Sequence, residues 1–472
     1  MQLGGHGPLE WLALLEYELL LFAGVFFLLG ALDDLAVDAV WAWLRLTGRA
    51  TTPLLDRGAT ANRELADPVA LFLPAWRESA VIGTTIAHAR AAWPQSALTI
   101  YVGCYRNDPD TLTAAMQGAS GDGRVRIVVL DRDGPTTKAD CLNWLYHALA
   151  DDERRGGYRT RMVLLHDAED MVDPVALPVL ETALREAEFV QLPVLPEPQG
   201  GSRWIASHYC EEFAEAHGKA MVVRQAVGAG LPAAGVGCAI DRVTLARLKA
   251  AAGPEAPGPF SVESLTEDYE MGLRIAATGG RSSFLRLRGD DGALVATRSI
   301  FPDRLDEAVR QKTRWVHGIA FQGWDRLGWQ GGIAERWMRL RDRRGPLTAL
   351  VLAAAYLLLA VASVLEVATW LGWSRPWDPD PLVRWLVTLN LCCFGWRVLL
   401  RFAFTAREYG AAEGVRAVLR IPLANIIAIM AGRRALVAYL RSLGGSATLW
   451  DKTEHRNHPA TPHTPTHRIG TS

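Results

Sequence analysis

Hydrophobic and polar positions alternate in two regimes along the chain. From Trp11 to Ala31 almost every residue is apolar, close to the roughly 20 residues that a bilayer-spanning helix needs, although Glu16 and Glu18 interrupt the first turns. Between about residues 66 and 195, short β-rich runs alternate with amphipathic stretches, the pattern of a parallel sheet with crossover helices. The predicted strands are 69–73, 98–103, 126–130, 162–166 and 189–193, and helices are predicted over 81–92, 137–149 and 175–187. Long apolar runs return at 347–371 and 382–401, and both read as spans. The run from Ile421 to Ala431 is too short to cross, and Arg420, Arg433 and Arg434 flank it, which predicts an amphipathic helix lying in the interface over 415–441. Residues 451–472, rich in His, Pro and Thr without apolar periodicity, predict a disordered tail.

Charge around these runs predicts their orientation. The first basic residues after the first span are Arg45 and Arg49. Arg336, Arg339, Arg341, Arg343 and Arg344 precede the second span, and Asp378 and Asp380 follow it. The positive-inside rule then puts residues 1–10 outside, 32–65 as a linker, and a 66–335 domain in the cytosol. A signal peptide lacks the basic residues before and the small-residue cleavage site after the first run. The chain has 472 residues, half of them hydrophobic, with 50 basic and 51 acidic side chains. That near-zero balance supplies no field for a polyanion, so no nucleic-acid partner is expected. Six cysteines without a C-x-x-C pair indicate neither a zinc site nor a disulfide framework.

Ligands of such sheets bind beyond the carboxyl ends of the strands, and there the chain is strongly polar. Pro74-Ala75-Trp76-Arg77-Glu78 follows the first strand, a stretch from Asp131 to Lys138 follows the third, and Asp167-Ala168-Glu169-Asp170 follows the fourth. Clustered carboxylates at a strand end offer hard oxygen ligands to Mg²⁺ or Mn²⁺, although an acidic turn that ends a strand and caps the next helix would read the same way. Ser264-Leu265-Thr266-Glu267-Asp268 has a similar ambiguity. Ser264 and Glu267 fit a capping box opening a helix to about Ala277, which leaves Asp268 in the first turn, where the dipole favours its ionised form. An ionised carboxylate beside a hydroxyl is what a general base must be. In Gln311-Lys312-Thr313-Arg314-Trp315 a guanidinium suited to phosphate adjoins an indole that can stack on a sugar or anchor at the membrane interface. Gly235-Val236-Gly237 reads as a tight turn.

In this order, the carboxylate cluster, Thr266-Glu267-Asp268 and Gln311-x-x-Arg314-Trp315 resemble the D, DxD, TED and QxxRW signature of processive family-2 glycosyltransferases such as cellulose and hyaluronan synthases. The runs Leu73 to Glu78, Asn107 to Thr111, Gly134 to Asn143, His166 to Asp170 and Trp450-Asp451-Lys452-Thr453 are similar to the inner-membrane phage-adsorption protein B group. The resemblance implies an α/β GT-A (Rossmann-like) domain in the cytosol plus transmembrane helices in a bacterial inner membrane. It also implies inverting transfer from a nucleotide sugar, expected to be a UDP-sugar, to a growing surface glycan, with Mg²⁺ or Mn²⁺ as cofactor. Membrane lipid and an outer-membrane export partner are the further partners it implies.

By position, Glu78, Asp108, Asp110, Lys138 and Asp167 would contact the nucleotide sugar, and Asp167, Glu169 and Asp170 supply the candidate metal ligands. Asp268 would be the base, with Glu267 beside it. Arg314 would steady the leaving diphosphate, Trp315 would hold the acceptor, and Gln311 completes the motif. One departure is local: where the family has an Asp pair ending the second strand, this chain has Cys104-Tyr105, with Asp108 and Asp110 only later. Two rival expectations are a catalytically degenerate scaffold or phage-receptor component, and single-sugar transfer to a lipid phosphate carrier.

Overall fold

A computed structural model describes residues 7–199, 202–373, 379–444 and 458–460. The centre is a seven-stranded sheet in the spatial order Val125–Leu130, Leu98–Tyr105, Val69–Pro74, Met162–Leu165, Cys238–Asp241, Phe189–Gln191, Ser282–Phe284. Successive residues of a strand point to opposite faces, and both faces of this sheet are covered, so its central strands are apolar throughout. In Val69–Pro74, Leu71 and Leu73 join one core with Ile82, Ile86 and Trp93, while Ala70 and Phe72 join another with Leu142, Leu145 and Ile240.

The five predicted strands appear within a few residues of their expected limits. The sheet, however, is mixed. Cys238–Asp241 runs antiparallel to both Met162–Leu165 and Phe189–Gln191. A four-residue strand following a glycine turn carries too little periodicity to be read in advance. Helices differ at their ends. The one predicted over 137–149 continues as Lys138–Gly156, from the Thr137 cap to Gly157 in the left-handed region, whereas that over 175–187 shortens to Ala176–Ala183.

The first apolar run belongs to a much longer helix, Pro8–Leu46. At 1.5 Å per residue its 39 residues extend about 58 Å, well beyond a bilayer's hydrocarbon core of about 30 Å. The expected 32–65 linker is therefore helical as far as Leu46, because Asp33 and Asp34 pair with Arg341 and Arg344 and Asp38 pairs with Lys219. Its remainder is built into the domain. Leu54–Leu55 pairs in parallel with Arg288–Gly289, and Arg57 bonds Asp173 at 2.8 Å.

Gly345–Trp370 and Pro381–Tyr409 contain the second and third runs. The single helix expected over 415–441 is two, Ala411–Leu419 and Ile421–Leu443, with Pro422 in the first turn of the second. Four helices among the described residues, Ile421–Leu443 included, are long and apolar enough to cross a membrane. Both ends of that last helix touch the α/β domain. At its start the buried Arg420 forks onto Glu211, and near its end Tyr439 stacks on Phe321 and donates to Asp325 at 3.0 Å. Most of the tail expected to be disordered, with Trp450 to Thr453, lies outside the described residues. His458 within it is described, and it is buried against the domain.

Candidate active site

Loops beyond the strand ends, the start of the Glu267–Ala277 helix and the last turns of Leu305–Val316 enclose one cleft. It is lined by Glu78, Lys138, Asp167, Glu169, Glu267, Asp268, Gln311, Arg314 and Trp315, so nine residues expected from sequence meet there. Thr266 is the N-cap of Glu267–Ala277 and makes no side-chain cap. The expected capping box does not form, since the Ser264 hydroxyl instead accepts the Thr266 N–H at 3.3 Å. Glu267 is thereby free of capping and, like Asp268, lines the cleft, where an Asp268 oxygen accepts the Tyr269 N–H at 2.7 Å.

Lys138 sits in the first turn of its own helix, where the dipole disfavours a cation. Its ammonium is ion-paired with Asp167 and donates to the Gly235 carbonyl at 3.4 Å. Burial works against its charge, but Asp167, Glu267 and Asp268 together hold it well above the ordinary lysine range. Burial pushes the Glu267 carboxyl up to about 7, with the Asp268 charge adding to the effect and Lys138 opposing it. Burial raises Asp268 too, against Lys138 and its backbone hydrogen bond. Gly235, with φ +78°, has no Cβ because a methyl there would overlap the Asp268 carboxylate. The turn expected at Gly235 to Gly237 thus exists, and it forms a wall of the site.

The helix carrying Gln311, Arg314 and Trp315 passes into a π-helical segment, His317–Gln322, a form frequent at functional sites. Gln322 accepts the Leu265 N–H at 3.0 Å and Gly318 packs on Thr266, which fixes this helix to the Glu267–Asp268 turn. Arg314 Nε, Gln311 Oε1 and Thr266 Oγ1 are buried without a hydrogen-bond partner, as expected of groups that a substrate satisfies. Trp315 stands edge-on to Phe301 at 6.4 Å and to Phe213 at 6.3 Å, and both phenylalanines line the cleft. Sequence reading missed these two. Neither lies in a motif, and 88 positions separate them, so only folding joins them to Trp315.

Three expected site residues are elsewhere. Asp170 is fully buried and turned from the cleft: it accepts the Asp167 N–H at 2.9 Å and sits 3.1 Å from His166 Nδ1, so it shapes the loop. Asp108 caps the Pro109–Ala119 helix and accepts the Arg77 N–H at 2.6 Å, holding Arg77 at φ +54°. Asp110 is exposed in the first turn of that helix, outside the cleft. In the place of the family's Asp pair, Tyr105 lines the cleft, with its hydroxyl 2.6 Å from Thr136 and its ring edge-on to Trp76 at 5.0 Å.

For a divalent metal the described residues hold no cluster of three or more His, Cys, Asp or Glu side chains. Asp167 and Glu169 both line the cleft, and two carboxylates completed by phosphate oxygens and water suit Mg²⁺ or Mn²⁺. The donor set fits.

Residues 66–318, which contribute all nine of these cleft residues, match the family model described as glycosyltransferase-like family 2. The chain belongs to that family. In this family member the mixed sheet with its covered faces is the expected GT-A fold. Bacteriophage adsorption protein B of Escherichia coli (strain K12) is 33% identical over 471 residues, covering 94% of this chain and 62% of that protein. Bacteriophage N4 adsorption protein B of Escherichia coli O157:H7 gives the same figures. The chain thus spans about 62% of the length of the curated relatives it matches. Among solved structures, a mannosyltransferase from Pyrobaculum calidifontis in complex with GDP-Man and Mn²⁺ is 15% identical, with a TM-score of 0.49 over 86% of this chain and 98% of that one. Glucosyl-3-phosphoglycerate synthase from Mycobacterium tuberculosis with Mg²⁺ and UDP is 17% identical, with a TM-score of 0.35 over 60% of this chain and 87% of that one. Neither likeness carries the family assignment.

Proposed function

We propose that this protein is an inverting glycosyltransferase that moves a sugar from a nucleotide donor, a UDP-sugar, to a growing cell-surface polysaccharide at the cytosolic face of a bacterial inner membrane. The observation that carries this reading is the Asp268 carboxylate, held between Lys138 and Gly235 in the same cleft as Arg314 and Trp315. Asp268 accepts the proton of the acceptor hydroxyl as that oxygen attacks the anomeric carbon, and the bond to the diphosphate breaks on the opposite side. Charge growing on the leaving diphosphate meets Arg314 and Lys138. Asp167 and Glu169 would hold Mg²⁺ or Mn²⁺, which supplies further positive charge to the diphosphate. Trp315, Phe301 and Phe213 offer aromatic faces for the acceptor sugar.

The apolar helices support placement in the membrane. Pro8–Leu46, Gly345–Trp370 and Pro381–Tyr409 cross it, while Ile421–Leu443, tied to the catalytic domain at both ends, lies along the interface beneath the Trp315 helix. The phage-adsorption names of the relatives fit a product displayed on the cell surface, and a partner in the outer membrane would pass that product on.

The test is a donor screen of detergent-purified protein with UDP- and GDP-sugars in Mg²⁺ and Mn²⁺, with the product sized. Metal-dependent release of UDP with a long product is expected. A product one sugar longer than a lipid phosphate acceptor would replace polymerisation by single transfer, and no release from any donor would leave a scaffold.

A further inference from the structure

The loop that carries Asp167 and Glu169 is held from behind by groups outside the cleft. The Thr85 hydroxyl bonds the Ala168 carbonyl, and the Asp170 carboxylate takes the Asp167 N–H. Met171 exchanges backbone hydrogen bonds with Arg298 at 2.8 and 3.0 Å, and His88 Nε2 lies 3.0 Å from the Val172 carbonyl. The Asp170 carbonyl is met by a residue 288 positions later, His458, whose Nε2 lies 3.3 Å away.

His458 is 2% exposed, and its ring centroid lies 6.4 Å from that of His88. Its tautomer follows from its two contacts. Nδ1 accepts the Ala460 N–H at 3.0 Å, so the ring proton is on Nε2 and points to the Asp170 carbonyl. A neutral imidazole buried with both nitrogens used is a built contact, unlike a side chain resting on a surface.

We propose that His458 is a positioning residue for the metal-binding loop: a segment from beyond the last apolar helix reaches the catalytic domain and fixes the backbone that presents Asp167 and Glu169. The inference rests on the reading of those two carboxylates as metal ligands. Groups behind a ligand set its orientation, and their loss typically lowers metal affinity about 10- to 100-fold.

The experiment uses the full chain in detergent with His458→Ala and His458→Gln. Glutamine keeps an N–H donor at similar reach. Two measurements are made: amide exchange of the peptide spanning residues 162–173, and the Mn²⁺ concentration giving half-maximal UDP release. For His458→Ala we expect faster exchange in that peptide and a Mn²⁺ requirement raised about 10-fold or more, with kcat at saturating Mn²⁺ within about twofold of the parent, and for His458→Gln a return of both toward the parent values. Unchanged exchange in His458→Ala overturns the proposal. So does a fall in kcat that leaves the Mn²⁺ requirement unchanged and that glutamine does not restore. Should the parent protein release no nucleotide from any donor, the functional reading fails by itself, while the exchange measurement still decides whether His458 holds the loop.

Discussion

Two charged regions of this molecule are built on opposite rules. Where the helices meet the domain, acids and bases balance: Asp33, Asp34, Asp38 and Glu215 face Arg341, Arg344, Arg397 and Lys219. Glu211 likewise meets Arg401 at 2.9 Å and Arg420 at 2.7 Å. In the cleft, Asp167, Glu267 and Asp268 surround the single ammonium of Lys138, while Arg314 Nε has no partner. Balanced pairs fix geometry. An excess of carboxylate there is relieved by a cation or a proton, which is how groups poised for acid–base work are recognised.

The largest effect that would break this comparison is expected at Asp268. Asp268→Asn removes the proposed base without changing side-chain size, and transfer should fall about 10³-fold, within the range general bases supply. Donor binding should be retained, because Lys138, Asp167 and Arg314 stay in place. Since burial raises the Asp268 carboxyl, neutralising it should leave thermal stability equal or higher. Transfer assays, donor titration and a melting curve on the same preparation check the three parts. Near-normal transfer would move the base elsewhere.

At the boundary the opposite signature is expected. Glu211→Ala leaves the fully buried Arg420 with Glu413 as its remaining carboxylate, and the cost should approach the roughly 3 to 5 kcal/mol of breaking a buried pair. The melting temperature should drop, while the protein that remains folded keeps its Mn²⁺ requirement. A variant that melts like the parent would mean that Glu413 alone compensates Arg420, and that the boundary is less finely balanced than it is drawn.

What could be read in advance follows the same division. The strands were legible because full burial makes them continuously apolar, as in Leu71-Phe72-Leu73. The position of motif residues fixed by one loop or helix turn, such as Lys138 and Arg314 at the cleft, was legible too. Orientation within a loop was not. Glu169 and Asp170 are adjacent in sequence, yet one lines the cleft and the other is turned inward by His166, and nothing in an acidic run distinguishes them. Asp108 misled because its task is to hold the strained Arg77 backbone, which no local pattern displays. The extension of the first helix to Leu46 depended on Arg341 and Arg344, some 300 positions away, and His458 depended on a contact equally remote.

The smallest effect, and the sharpest test of the contrast, is with pH. Glu267 is pushed up to about 7 by burial and by Asp268, and Asp268 is raised with it, so the pair takes up a proton as pH falls through neutrality. The base must be ionised to act. Asp268 is itself raised by burial, so transfer should decline toward tenfold per pH unit as the pH falls through its raised range, above that of an ordinary aspartate, with a plateau at higher pH. Stability should move the other way. A carboxyl whose folded pKa is raised binds its proton more tightly in the folded protein, so this contribution is complete below the ordinary value of 4.5 and is lost as pH rises to about 7. Glu267→Gln should flatten the stability trend over that window, and the acid limb of transfer should shift with it because the Asp268 charge no longer faces a second carboxylate. Parallel rate and melting profiles between pH 5 and 8 measure both trends, and profiles that rise and fall together would assign the titration to a structural pair outside the cleft.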